Sequence, residues 1–151
     1  MCKPLNYRFF TLPSPLWSEV LALRMQVFVE EMGVPVELEV DTFDQQALHM
    51  GGYPFADSQN PWGTLRILIT GQKAKLGRLA VHKDQRRKGI GSAMLQQAIR
   101  YCEQQNVKKI SLAAQTYITD FYKQSGFQTT GNVFDDAGIP HIEMFRITGA
   151  P

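Results

Sequence analysis

Six consecutive residues, Arg86-Arg87-Lys88-Gly89-Ile90-Gly91, bring together what an oxyanion needs: cationic side chains and glycines where a helix opens. They lie within Val81-His82-Lys83-Asp84-Gln85-Arg86-Arg87-Lys88-Gly89-Ile90-Gly91-Ser92. An apolar run ends at Val81, a basic turn follows, and an amphipathic pattern begins at the glycines. The first turn of a helix offers unpaired N–H groups and the positive end of its dipole. Gly89 and Gly91 carry no Cβ to hold a phosphate oxygen off the backbone. The chemistry in view is therefore capture of a phosphate or pyrophosphate. The segment is not a P-loop, since Gly-x-x-x-x-Gly-Lys-Ser/Thr is absent. It is not a dinucleotide fingerprint either, since Met94 stands where the third glycine belongs. Taken alone, the same residues describe an exposed basic turn equally well.

The remaining reactive groups are fewer. His49, His82 and His141 are the three histidines, and Cys2 and Cys102 the two cysteines. Their spacings match no metal site, so no metal is expected. With no Cys-x-x-Cys pair, two free thiols in a reducing compartment are expected. Charge is unevenly divided. Residues 1–60 hold three Lys/Arg against eight Asp/Glu, a net of −5, and residues 61–151 hold thirteen against six, a net of +7. Two ligands of opposite sign, or two solvated surfaces, would both account for the split.

These groups must be positioned by a chain of 151 residues, a length that suits a single domain spanning 1–151. Its 44% apolar and 20% charged residues are ordinary for a soluble protein. There is no apolar run long enough to span a membrane and no signal-peptide pattern at the start, so a cytoplasmic protein without a membrane partner is expected. Residues 5–10 read as a strand. Ser14-Pro15 reads as a helix start, with Trp17, Val20, Leu21, Val27 and Phe28 on one face to about Glu31, where Gly33 and Pro35 end it. Residues 34–46 read as irregular and carboxylate-rich. Strands are expected at 47–55, 64–70 and 76–81. A helix is expected at 89–105, with Ile90, Met94, Leu95, Ala98, Ile99 and Cys102 as its apolar stripe. A strand at 109–114, a short helix at 116–124 and strands at 127–133 and 139–147 joined by a turn at 135–138 complete one mixed α/β domain.

Arg86-x-x-Gly89-x-Gly91, after a strand and opening a helix, resembles motif A of the GCN5-related N-acetyltransferases (GNAT). Gln115-x-x-x-x-x-Phe121-Tyr122-x-x-x-Gly126-Phe127 resembles motif B of the same superfamily, at the expected separation. The stretches Arg24-x-x-Val27-Phe28-Val29-x-Glu31, Glu39-x-Asp41-x-x-Asp44, Ala47-x-His49 and Gly138-Ile139-Pro140-His141-x-x-Met144 are similar to the ElaA/YjcF-like branch. Gln115 stands where many members carry Asn. The resemblance implies an α+β fold: a mixed, mostly antiparallel central sheet, splayed where acetyl-CoA enters and flanked by about four helices. It implies that the backbone of Leu79, Ala80 and Val81 pairs with the pantetheine arm. Arg86, Arg87, Lys88, Gly89, Ile90, Gly91 and Ser92 would hold the pyrophosphate. Gln115 and Tyr122 would contact the donor, and Tyr122 would protonate the departing thiolate.

The implied reaction is direct transfer of an acetyl group from acetyl-CoA to a primary amine, with a small-molecule or peptide amine as acceptor. An alkylammonium titrates near 10, so a base or water must take its proton. Glu39, Asp41, Asp44, His49, His82 and His141 are the candidates. Arg24, Glu39, Asp41, Asp44, His49 and His141 form the candidate acceptor site. Residues 39–44 would be either an electrostatic funnel for a cationic amine or a solvated loop. The competing reading is a fold retained as an acyl-CoA sensor or interaction module without turnover. Nucleic-acid binding is not expected, since no recognisable module accompanies the basic half. Sheet edges leave room for a homodimer.

Overall fold

A computed structural model describes residues 4–148 of the chain. Seven strands build one sheet: β1 (Asn6–Phe10), β2 (Leu48–Tyr53), β3 (Gly63–Thr70), β4 (Lys73–Val81), β5 (Lys109–Gln115), β6 (Gln128–Asp136) and β7 (Ile139–Ile147). Their order is β1-β2-β3-β4-β5-β7-β6. Every pair is antiparallel except β4 with β5. This is the mixed, mostly antiparallel sheet that the sequence led us to expect. β4 starts earlier than expected because Lys73 and Lys75 alternate with buried Ala74 and Leu76. The β6–β7 turn is tight: Ala137 and Gly138 both take positive φ, +54° and +81°, as a two-residue hairpin loop requires.

Among the described residues, four α-helices accompany the sheet: α1 (Trp17–Arg24), α2 (Val36–Glu39), α3 (Ile90–Gln104) and α4 (Thr119–Lys123). The stripe expected on α3 is fully buried and packs on Met50, Leu65, Ile67, Leu76, Ile110 and Leu112 of the strands. Each such side chain contributes about 1.5–3 kcal/mol by leaving water. Met94 approaches the sheet closely, because Gly52 and Gly63 are paired beneath it. A Cβ on Gly52 would lie 2.5 Å from its sulfur.

The single helix expected from residue 14 to about 31 divides in two. Ser14 Oγ accepts from the Leu16 amide (3.1 Å), and α1 begins after that turn. At Met25 the backbone widens into a π-helical stretch, Met25–Glu31, and the Met32 amide reaches back five residues to the Val27 carbonyl (3.1 Å). The buried face is Val20, Leu23, Arg24 and Val27, so an arginine occupies a core position that the apolar pattern did not mark. Residues 34–46 are more ordered than expected. They hold α2 and a 3-10 turn, Thr42–Gln45, closed by a capping box between Asp41 and Asp44.

Candidate functional site: a cleft between two parallel strands

β4 and β5 pair only from Lys73↔Lys109 to Leu76↔Leu112. Beyond that, β4 stays with β3 (Thr64↔Ala80, Gly63↔Val81), and β5 stays with β7 (Ala113↔Glu143, Gln115↔His141). The cause is visible in the register. It passes from Thr64↔Ala80 to Arg66↔Gly77, so Arg78 and Leu79 together oppose Leu65. Such a bulge adds local twist and turns one strand away from the next. Arg78 takes φ +54° there, a left-handed conformation that a side chain adopts at a cost. The edge of β4 at residues 77–81 therefore faces β5 without ladder partners. A cleft of about 1400 Å³ runs along it, lined by Leu79, Ala80, Val81, Gln115, Phe121 and Tyr122 among others.

The basic turn forms one end of this cleft. His82 is not a reactive group in it. Its Nδ1 accepts from the Asp84 amide (3.1 Å) and so caps the turn Lys83–Gln85, and it is not among the residues lining the cleft. Gly89 begins α3 at φ +81° with no side-chain cap, so the first amides of α3 are left for a ligand or water. Gly89, Ile90, Gly91 and Ser92 all line the cleft, as do Arg86 and Arg87, whereas Lys88 does not. Lys88 instead donates to Gln85 Oε1 (3.0 Å). Arg86 is exposed but already paired within the chain. It holds Glu31 with two bonds (2.5 and 2.7 Å) and the Val81 carbonyl with a third (3.0 Å). The bond to Glu31 raises the pKa of Arg86, and its counterpart from Arg86 lowers that of Glu31.

Tyr122 stands on the opposite wall. α4 is too short to bury much by itself, and its one buried residue is this tyrosine. The ring meets Phe121 edge-on (5.0 Å between centroids) and Phe127 likewise (6.1 Å). Burial pushes its phenol up to about 12, so the hydroxyl keeps its proton at neutral pH. Gln115 spans the cleft, with Nε2 3.8 Å from Met32 Sδ and Oε1 accepting from the Tyr117 hydroxyl.

The acceptor-side candidates resolve into two groups. Arg24, Glu39 and Asp44 are 0%, 2% and 1% exposed and belong to a closed ion cluster. Arg24 donates Nε to Glu39 (2.6 Å) and its two Nη groups to Asp44 (2.9 and 3.2 Å). Arg66 bridges Asp41 (2.7 Å) and Asp44 (3.1 Å). Arg78 joins Glu39 (2.8 Å) to Asp41 (3.2 Å). Burial acts to raise the pKa of Asp44, but the bonds from Arg24, Asp41 and Arg66 outweigh it and hold the carboxyl below its usual range. The funnel of free carboxylates is thereby corrected: three arginines neutralise three acids. His49 is corrected too. It is 1% exposed, lies against Phe10 and Trp17 (5.4 and 4.8 Å) and donates Nε2 to the Asp44 carbonyl (3.0 Å). Burial lowers its pKa against that bond. Neither Arg24, Asp44 nor His49 lines the cleft, whereas Glu39, Asp41 and His141 do. His141 gives Nδ1 to the Ile139 carbonyl (2.8 Å) and stacks on Phe134.

Sequence reasoning missed Arg66, Arg78 and the Glu31 partner of Arg86. The signals were an arginine inside the apolar run Leu65-Arg66-Ile67-Leu68 and the charge division itself. Arg66, Arg78 and Arg86 come from the basic part of the chain, and Glu31, Glu39, Asp41 and Asp44 from the acidic part. The division is met in part by internal pairing. Among the described residues, no group of three or more His, Cys, Asp or Glu is arranged to hold a metal ion, and no helix is long and apolar enough to cross a membrane.

A family model described as an acetyltransferase (GNAT) domain matches residues 29–147. The chain is 32% identical over 130 residues to the uncharacterized N-acetyltransferase YjcF of Bacillus subtilis, a match covering 85% of this chain and 91% of that one. Among solved structures, an acyl-CoA N-acyltransferase from Pseudomonas aeruginosa superposes with a TM-score of 0.83 at 26% identity, over 94% of this chain and 99% of that one. Escherichia coli ElaA gives the same TM-score at 24% identity, over the same shares of the two chains, and shares the fold.

Proposed function

Since the chain belongs to the GNAT acetyltransferase family and is an acyl-CoA N-acyltransferase with acetyl-CoA as co-substrate, we propose that it acetylates a primary amine on a small molecule by direct attack, with Tyr122 as the general acid. The observation that carries the reading is the pairing of an open β4 edge with a buried, protonated tyrosine across one cleft. The edge at residues 77–81 supplies amide N–H and C=O groups for the pantetheine arm, and the uncapped start of α3 supplies amides for the pyrophosphate. Arg87 adds the charge that Arg86 spends on Glu31.

The neutral amine attacks the thioester carbonyl and forms a C–N bond. A backbone N–H near Val81 stabilises the resulting oxyanion, a contribution of about 3–4 kcal/mol for one preorganised donor. The intermediate collapses with cleavage of the C–S bond, and the proton of Tyr122 passes to sulfur. The proton lost by the amine goes to His141 or through it to water. In the tautomer that gives Nδ1–H to the Ile139 carbonyl, Nε2 is the nitrogen that would take the proton.

Tyr122→Phe tests the assignment. We expect acetyl-CoA to bind as before while kcat falls by about 10²–10⁴-fold, read as thiol release with an amine panel. Unchanged turnover removes the role. Acetyl-CoA binding by the wild type without thiol release for any amine favours the non-catalytic sensor instead.

A further inference from the structure

Two arginines of the ion cluster hold N–H groups that the cluster does not use. Arg66 spends only Nη1, on Asp41 and Asp44. Its Nε is buried and has no acceptor, and its Nη2 has none among the described residues. Arg66 is 7% exposed, yet it lines the cleft. Arg78 uses Nε and Nη2 on Glu39, Asp41 and the Leu38 carbonyl, which leaves Nη1. Buried donors on charged groups are rarely left unmade. Nη2 of Arg66 and Nη1 of Arg78, on two guanidiniums that share Asp41, are a pair of unused cationic donors, and the partner that matches such a pair is a carboxylate.

We propose that the acceptor is a compact amino-carboxylate, an amino acid or a molecule of similar size, whose carboxylate docks on the unused Nη2 of Arg66 and Nη1 of Arg78. The inference rests on the acetyl-transfer reading, whose acceptor class it names. Position supports it. Arg66 is paired with Gly77 at the bulge, and Arg78 lies on the open edge of β4 itself, so the two donors lie beside the strand that carries the acyl end. Charge supports it as well. The cluster holds three cations and three anions, so a bare carboxylate would unbalance it while a ligand carrying its own ammonium would not. Asp41, the most exposed of the three acids at 31%, shares Nη1 of Arg66 and supplies an anionic neighbour for that ammonium.

The test compares L-amino acids bearing uncharged side chains with their carboxamides, using the full chain and acetyl-CoA. The amine of a carboxamide is the less basic of the two, so the supply of free amine at neutral pH favours the amide. A preference for the acid must come from the site. We expect kcat/KM to fall by about tenfold or more when the carboxylate becomes an amide. In Arg66→Lys, which keeps the charge but has no second Nη group to spare, the ratio should fall to one or below while the acetyl-CoA Kd is unchanged. A wild-type ratio near one, or in favour of the amide, overturns the proposal. So does a ratio preserved in Arg66→Lys. Acetylation of a carboxylate-free polyamine, with no turnover of either amino-acid set, overturns it and leaves acetyl transfer standing. Bound acetyl-CoA with no amine turned over overturns both. If Arg66→Lys shows no cooperative melt, the wild-type ratio decides alone.

Discussion

The two sides of the cleft are made of different material. The side proposed for the donor is backbone: the unpaired edge of β4, the left-handed Gly89 and the uncapped amides of α3. The side proposed for the acceptor is side chain, backed by an ion cluster in which arginines from α1, β3 and β4 meet acids from α2 and the turn after it. Backbone geometry is imposed locally and survives most changes of side chain. A buried cluster of opposed charges stands or falls as a unit, because each ion removed leaves another without its partner. The donor side should therefore tolerate substitution piecemeal, and the acceptor side should not.

The largest effect is expected from Arg24→Met, which strands Glu39 and Asp44. Urea titration should show a loss of about 3–5 kcal/mol, while the folded fraction binds acetyl-CoA nearly as before. A parallel loss of acetyl-CoA affinity would erase the distinction between the two sides. A smaller effect belongs to His49. Its folded pKa lies below the ordinary 6.5 because of burial, so the unfolded chain takes up the proton first. The stability it contributes is present above the unfolded value and drains as pH falls through it, by at most about 1.4 kcal/mol per pH unit. His49→Gln should flatten the melting temperature between about pH 7 and pH 5; an unchanged slope would assign the acid sensitivity to other groups. The smallest effect is expected on the donor side. Glu31→Gln breaks a pair that is about a third exposed, so screening limits the cost to less than about 1 kcal/mol. Freed from Glu31, Arg86 should tighten acetyl-CoA binding by up to about fivefold, and added salt should remove the gain. Weaker binding in a titration at low salt would mean that Glu31 holds Arg86 in its working position.

The same contrast explains what could be read in advance. Gly89, Gly91 and the stripe of α3 sit within a few positions of one another, and so the turn, the helix and the strand before it were legible. Tyr122 was legible through its fixed distance from Gly126. The ion cluster gathers Arg24, Glu39, Asp41, Asp44, Arg66 and Arg78, and no local period links residues so far apart. Glu39 and Asp44 look like any solvated acids until β3 and β4 bring their arginines. Arg24 was hidden in a helical pattern because only apolar side chains were expected to face inward.

The wide turn at Met25–Glu31 carries a consequence of its own. An α-helix advances about 100° per residue, and a π-helical stretch holds a residue more than that path needs. Arg24, just before it, holds the ion cluster, and Glu31 at its end reaches Arg86 in the basic turn. The stretch acts as a phase shifter between two gears. Deleting one residue from it would restore an ordinary helix and leave everything downstream in phase, whereas winding the same seven residues as ordinary helix would carry Glu31 round by about 100°. Arg24 could then keep its acids, or Glu31 its arginine, but not both at once.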